Sequence, residues 1–157
     1  MSDPANLYFI SLGLSNSDEH MTISWLGNRE NPHTLYSLLH SAAEELSEKN
    51  GVDAVVSGTD LFGPNKDMPV WLIKILDSDQ DDILKNLWTK TNVEQPHTKG
   101  LLNPNYHITQ KKTSPSRSVD DMVHFDMLSL KKVGASCPNW WCGLNLSSEN
   151  VRSEFFH

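Results

Sequence analysis

The stretch EHMTISW, Glu19–Trp25, and the stretch NYHITQK, Asn105–Lys111, each carry a histidine, an apolar residue and a threonine in that order. In a β-strand, residues i and i+2 project from one face, and residue i+1 projects from the other. Each stretch therefore predicts a strand that presents a histidine and a threonine together. An apolar residue between them points to the core.

In the first stretch, His20 and Thr22 are expected to share a face, with Met21 buried and Ser24 continuing the His20 face. Two polar side chains on one strand face are an active-site arrangement when a second such strand meets the first. The same alternation also fits polar residues on the solvent face of a half-covered sheet.

In the second stretch, His107 and Thr109 are expected to share a face, with Ile108 buried and Lys111 continuing the His107 face. A lysine there would add positive charge beside the histidine, although an exposed lysine more often serves solubility. Both motifs open an apolar, strand-forming segment, which favours one structural role for the two.

Strand-forming segments alternate with turns along most of the chain, and two of them flank the polar turn SNSDE, which predicts a hairpin. Each half of the chain has a His-x-Thr strand and, later, a pair of strands. We therefore predict one α+β domain over residues 1–157, two-lobed and mostly antiparallel, in which the His-x-Thr strands are related by pseudo-twofold symmetry. The predicted strands cover residues 7–14, 20–27, 52–62, 69–76, 106–111, 122–133 and 140–146.

Two helices are predicted from capping residues and apolar spacing. Asn31 as cap, Pro32 in the first turn and Gly51 just past the end bound the first helix. The second helix begins at Ser78, with Asp81 placed for a capping box. The buried stripes of the two helices are predicted to include Leu35, Leu38, Leu39, Ala42, Ala43 and Leu46, and then Ile83, Leu84, Leu87 and Trp88.

Composition excludes several classes of protein. The 157 residues are 38% hydrophobic, which supports a packed core, and no apolar run is long enough to span a membrane. The N-terminus has no signal-peptide pattern, so we expect a cytoplasmic protein. The net charge of −7 argues against coating long nucleic acid. Residues 1–98 carry a net charge of −9 and residues 99–157 one of +2, so an anionic ligand is expected near the second half.

We predict neither a metal site nor a cofactor. Cys137 and Cys142 have four residues between them, which matches no redox motif and no half of a zinc site, and we assign them no function. The remaining histidines do not combine with carboxylates at any metal-ligand spacing. They are His33, His40, His97, His124 and His157.

The chain resembles the 2H phosphoesterase superfamily, which includes the bacterial RNA 2′-5′ ligase-like cyclic phosphodiesterases. Members carry two His-x-Thr/Ser motifs on strands of a two-lobed α+β fold. Beyond the motifs, the segments VDAVVSGTDLFGPNKDMPVWLIKI (52–75) and VHFDMLSLKKVGA (123–135) resemble strands of that family. The resemblance covers about residues 6–134 and leaves the tail, 135–157, unplaced.

The resemblance implies phosphodiester cleavage without a metal. One histidine would take a proton from the attacking hydroxyl, and the other would protonate the leaving oxygen. Because an unperturbed histidine titrates at about pH 6.5, one can start neutral and the other charged. Thr22 and Thr109 would donate hydrogen bonds to the phosphate oxygens. His20 and His107 cannot be divided into acid and base.

The family acts on RNA-end cyclic phosphates, 2′-5′ oligoadenylates and cyclic oligonucleotide signals, the last including the phage anti-CBASS enzymes. A short acidic chain favours a small cyclic di- or trinucleotide as partner rather than long nucleic acid, hence a viral enzyme that removes a host immune signal. Tyr8, Trp140 and Trp141 are candidates to stack on its bases, with core filling as the alternative for the tryptophans. The alternatives are an enzyme for RNA ends or 2′-5′ linkages, and a protein that only sequesters nucleotides. The oligomeric state stays open.

Overall fold

The computed structural model describes residues 7–14, 17, 19–28, 32–93, 101, 103–112, 114–132 and 143–146. Within this part the chain forms eight strands and two α-helices, an α+β fold as predicted. The strands are β1 Leu7–Gly13, β2 His20–Asn28, β3 Val52–Phe62, β4 Met68–Ile75, β5 His107–Thr109, β6 Met122–Phe125, β7 Met127–Lys132 and β8 Gly143–Asn145. The helices are α1 Tyr36–Ser47 and α2 Ser78–Thr91, and a 3₁₀ turn, Pro32–Leu35, precedes α1.

The strands make two four-stranded antiparallel sheets. Sheet A has the order β2-β1-β7-β8, and sheet B has the order β5-β4-β3-β6. Among the described strands, the His-x-Thr strands β2 and β5 lie at the edges of different sheets. Each pairs there with one neighbour, β1 or β4, so the two occupy equivalent places. This equivalence agrees with the predicted two-lobed arrangement.

The predicted single strand over 122–133 is wrong, because the chain changes sheets in its middle. β6 pairs with β3 in sheet B, and β7 pairs with β1 in sheet A. Asp126 lies between them, and its backbone bonds to Gly13 and Leu146 of the sheet A side. Phe125 and Leu128 are both fully buried, so the two sides of this junction anchor in the core. Part of the unplaced tail, β8, extends sheet A beyond β7.

The helices differ from the prediction at their first turns. The segment before α1 is 3₁₀, a common form at helix starts, so α1 itself begins at Tyr36. The predicted cap Asn31 lies outside the described residues. α2 begins at Ser78 as predicted, but its cap is Asp77, whose carboxylate accepts the Gln80 N–H at 3.0 Å. Asp81 does not complete a capping box, because its carboxylate bonds to Tyr106 and Lys85 instead.

One hydrophobic core joins the inner faces of both sheets to the helices. α2 packs against β2 and β4, and α1 packs against α2. No helix in the described part is long and apolar enough to cross a membrane. The largest fully buried side chains are Ile10, Leu12, Met21, Leu26, Leu39, Leu46, Leu84, Leu87, Ile108, Phe125, Leu128 and Leu130.

Gly51, between α1 and β3, has a conformation and a neighbour that exclude a side chain. Its φ is +120°, and a Cβ there would lie 2.5 Å from the carbonyl oxygen of Phe125. We expect Gly51→Ala to lower the free energy of unfolding by at least about 1–3 kcal/mol, because strain and overlap add. Urea unfolding measures it. The control is Gly58→Ala, whose Cβ would meet only Leu72 at 3.8 Å. Equal stability of the two variants would contradict this account.

Candidate active site

The two strands that carry the His-x-Thr motifs lie beside each other. His20 opens β2 and His107 opens β5. Although these strands belong to different sheets, their Cα atoms approach within 8 Å at several positions. The histidines therefore open two neighbouring edge strands at the boundary between the sheets.

His20 and Thr22 share one face of sheet A, which we call the His20 face. Both residues are half-buried, whereas Met21 between them is completely buried. The His20 ring contacts the Phe9 ring of β1, with centroids 5.5 Å apart and planes inclined by 34°. The predicted alternation thus holds over the motif itself.

Three hydroxyl residues lie side by side on the His20 face. Thr22 lies opposite Ser11 of β1, and Ser11 lies opposite Ser129 of β7. Residues opposite each other in a sheet project from the same face. The Ser11 hydroxyl is buried and has no hydrogen-bond partner within the described residues. Within the described residues this row therefore holds a buried donor without an acceptor, a state that costs about 1–3 kcal/mol.

The strand β2 is irregular beyond the motif. Its register against β1 shifts between Tyr8 and Phe9 and again between Ile10 and Ser11. Each shift is a β-bulge, an extra residue on β2 that interrupts the alternation of faces. Strict alternation from His20 therefore gives the wrong face for residues of β2 beyond the first bulge.

The predicted orientation of Ser24 is wrong for this reason. Ser24 lies opposite Ile10, is 1% exposed, and bonds through Oγ to Thr91 Oγ1 of α2 at 2.6 Å. Trp25 takes its place on the His20 face. It lies opposite Phe9 and is half-buried. Trp25 is therefore a site-face aromatic residue that the sequence pattern missed.

The His107 ring is oriented by the backbone just before it. Its Nδ1 lies 2.8 Å from the carbonyl oxygen of Asn105. Because a carbonyl only accepts, Nδ1 carries a hydrogen and donates it, and Nε2 is the nitrogen that gains or loses a proton. The Phe62 ring meets the His107 ring nearly edge-on, with centroids 4.6 Å apart. Thr109 is half-buried on the same face, and Ile108 is buried, as predicted.

The residue before His20 is held by a buried ion pair. Glu19 accepts two hydrogen bonds from Arg117, each 2.8 Å long, and the side chains are only 3% and 10% exposed. Arg117 also lies over the Trp71 ring of β4, 4.9 Å from its centroid. Arg117 follows β5 in the chain and Glu19 precedes β2, so the pair ties the start of β2 to sheet B.

The residue before His107 is held in a comparable way. The Tyr106 hydroxyl donates to the Asp81 carboxylate of α2 at 2.9 Å, and the Tyr106 carbonyl accepts the Ile73 N–H of β4 at 3.1 Å. Burial, and secondarily the Asp81 hydrogen bond, raise the pKa of the Tyr106 hydroxyl well above its ordinary value, so it stays a donor. Both histidines thus follow an anchored residue.

The other predicted binding residues are placed less favourably. Tyr8 is 6% exposed and packs in the core, so its predicted stacking role is wrong: no ring face is open to a base. β5 ends at Thr109, and a turn closed by Lys111 and Ser114 follows. Lys111 is exposed but does not continue the strand. Trp140 and Trp141 lie outside the described residues.

Within the described part, no three His, Cys, Asp or Glu side chains form a group that could hold a metal ion. A shallow depression of about 640 Å³ lies at the outer end of the β3–β4 hairpin, and none of its lining residues belongs to β2. The depression therefore does not span the two motifs.

No protein-family model matches the sequence, and no curated protein matches it. Among solved structures, the chain is similar to the crystal structure of TT0787 of Thermus thermophilus. The identity is 17%, the match covers 79% of this chain and 86% of that one, and the TM-score is 0.42. A likeness at this level carries no functional conclusion.

We predict that Glu19→Gln lowers the free energy of unfolding by about 3–5 kcal/mol, because it leaves Arg117 buried without a counter-charge. Glu44→Gln is the control, since the Glu44 side chain is 54% exposed and pairs with His40 on the surface of α1. It should change stability by less than about 0.5 kcal/mol. Denaturant unfolding of both variants measures the difference. A Glu19→Gln variant as stable as Glu44→Gln would show that the ion pair does not hold β2.

Proposed function

We propose that this protein is a phosphodiesterase of the 2H type that cleaves small cyclic oligonucleotides without a metal. One observation carries the proposal: two edge strands that each present a histidine and a threonine lie beside each other. Two acid/base groups with hydroxyl donors next to each of them fit a phosphodiester, which needs a proton removed on one side and supplied on the other.

Each step of the proposed reaction has a residue to perform it. One histidine accepts the proton of the attacking ribose 2′-hydroxyl, and this oxygen forms a new bond to phosphorus. The other histidine, initially charged, donates a proton to the leaving 5′-oxygen as its bond to phosphorus breaks. For His107 the exchanging atom is Nε2, because the Asn105 carbonyl holds the hydrogen on Nδ1. The product carries a 2′,3′-cyclic phosphate.

The threonines stabilise the negative charge that develops on the phosphate in the transition state. The hydroxyls of Thr22 and Thr109 donate to its non-bridging oxygens, where a fixed donor is worth more in a site that excludes water. Ser11, next to Thr22 and without a partner among the described residues, supplies a further hydroxyl that can support Thr22. A row that retains such a donor is expected at a site that binds an anion.

Two considerations favour a small cyclic substrate. The acidic first half, residues 1–98 with a net charge of −9, repels the strand that would extend beyond the site in long RNA. A cyclic dinucleotide brings two charges only, and its own 2′-hydroxyl is an internal nucleophile that gains from proximity. Such rings are immune signals in bacteria, and their removal would serve a virus.

We predict that His20→Ala and His107→Ala each lower kcat by about 10²–10⁴-fold while the fold and ligand affinity are retained. In the wild-type protein, kcat in EDTA should follow a bell-shaped pH curve, because one histidine must be neutral and the other charged. Each variant should lose one limb of the curve. The assignment of the missing limb also identifies base and acid.

His124→Ala is the control, since His124 is exposed on β6, at the opposite end of sheet B from β5, and pairs with Asp53 and the Asn50 carbonyl. It should keep wild-type kcat. Near-wild-type rates in either motif variant, or activity that chelator abolishes and a divalent metal restores, would contradict the two-histidine mechanism. Ligand depletion without any product would favour sequestration instead.

We predict that a cyclic dinucleotide is cleaved faster than a long single-stranded RNA when both are present at equal concentration. Electrostatic repulsion of the extended strand is the reason, and it should weaken as salt is added. Mass spectrometry follows both products over time. Adding 2′-5′ oligoadenylate and an RNA with a 2′,3′-cyclic end tests the alternatives. Faster cleavage of any of these, or no cleavage of a cyclic oligonucleotide, would overturn the substrate assignment.

A further inference from the structure

The strand pairing places a second row of residues on the His20 face, beyond Thr22. Phe9 of β1 lies opposite Trp25 on one side and opposite Lys131 of β7 on the other. Because opposite residues project from one face, the three form a line across sheet A. We call it the Trp25 row.

The position and burial of the Trp25 row fit a ligand surface. All three residues are half-buried, whereas Tyr8 and Ile10, the neighbours of Phe9 on β1, are in the core. The Phe9 ring also touches the His20 ring, with centroids 5.5 Å apart. Phe9, at the centre of the row, thus contacts the catalytic histidine of the proposed reaction, with Trp25 on one side and Lys131 on the other.

The chemistry of the row is that of a nucleotide site. Flat aromatic rings stack on bases, and a lysine is a mobile point charge for phosphate. The row joins a cation to two aromatic rings, and one of these rings contacts His20. A site for a simple anion has no need of the aromatic rings. The combination favours one ligand that carries both a base and a phosphate.

We propose that the Trp25 row binds the nucleotide unit adjoining the scissile phosphate. The base stacks on Trp25 and Phe9, and Lys131 pairs with the neighbouring, uncleaved phosphate. This inference rests on the proposed function, and it names the subsite that holds the substrate's second unit. Trp25 and Phe9 take the stacking role on sheet A that the sequence assigned to Tyr8.

The chain supplies a matched control for the lysine. Lys132 follows Lys131 directly and is also half-buried, but it lies opposite Tyr8 and projects from the other face of sheet A. Trp88 is a control for the tryptophan, because it is half-buried on α2 and belongs to neither sheet. These controls remove the same kind of side chain at a different position, so an effect seen only at Lys131 or Trp25 belongs to the Trp25 row.

The test is calorimetric titration with the deoxydinucleotide pdApdA, which has no 2′-hydroxyl and cannot be cleaved by internal attack. Trp25→Leu should weaken binding by about 5- to 150-fold. Lys131→Gln should weaken it several-fold and reduce the slope of log K against log salt by about 0.7, the value for one phosphate contact on a single strand. Lys132→Gln and Trp88→Leu should bind like the wild type. Circular dichroism verifies that each variant is folded.

A ligand control isolates the base. With the abasic analogue of pdApdA, Trp25→Leu and the wild type should bind equally, while Lys131→Gln should still be weaker. Equal effects of Lys131→Gln and Lys132→Gln, or unchanged binding in folded Trp25→Leu, would overturn the subsite. If the protein cleaves a cyclic dinucleotide but Trp25→Leu does not change binding, the subsite is rejected and the proposed function stands. If the Trp25 row binds pdApdA but no diester is cleaved, the proposed function is rejected and the row stands as a nucleotide-binding surface.

Discussion

The buried ion pair between Glu19 and Arg117 is the interaction on which the geometry of the site depends. An edge strand has hydrogen bonds on one side only, so its end is free to fray unless something else holds it. Two charges almost removed from water must stay paired, since separating them would leave each buried alone. The bidentate pair therefore fixes the end of β2 against sheet B. His20, the next residue, inherits that position.

The second histidine strand uses the same principle with different chemistry. Tyr106 precedes His107 and is anchored to α2 through Asp81, as Glu19 is anchored through Arg117. In both cases the anchored residue directly precedes the histidine that opens the strand. The anchors bond within the protein, and the two histidines are only half-buried. A two-histidine mechanism needs this division, since both rings must meet one phosphate.

Alternation in the sequence was enough to predict the motif faces, the hairpin and both helices, because each is set by local spacing. It failed where pairing between strands, or a contact between distant residues, sets the structure. The bulges in β2 turn Ser24 inward and Trp25 outward, and no pattern along β2 alone announces them. The ion pair joins residues 98 positions apart, although a charged residue at the core-facing position before His20 was a signal that a partner was required. The change of sheets at Asp126 likewise depends on pairing with two different strands.

The proposed mechanism requires that the two histidines face one phosphate between β2 and β5. A crystal structure of the protein with a bound deoxy-cyclic dinucleotide tests this requirement, because the ligand cannot be cleaved by internal attack. We expect one phosphate within hydrogen-bond distance of His107 Nε2, of a ring nitrogen of His20, and of the hydroxyls of Thr22 and Thr109. A phosphate that contacts only one of the two motifs, or a ligand seated away from both strands, would contradict it.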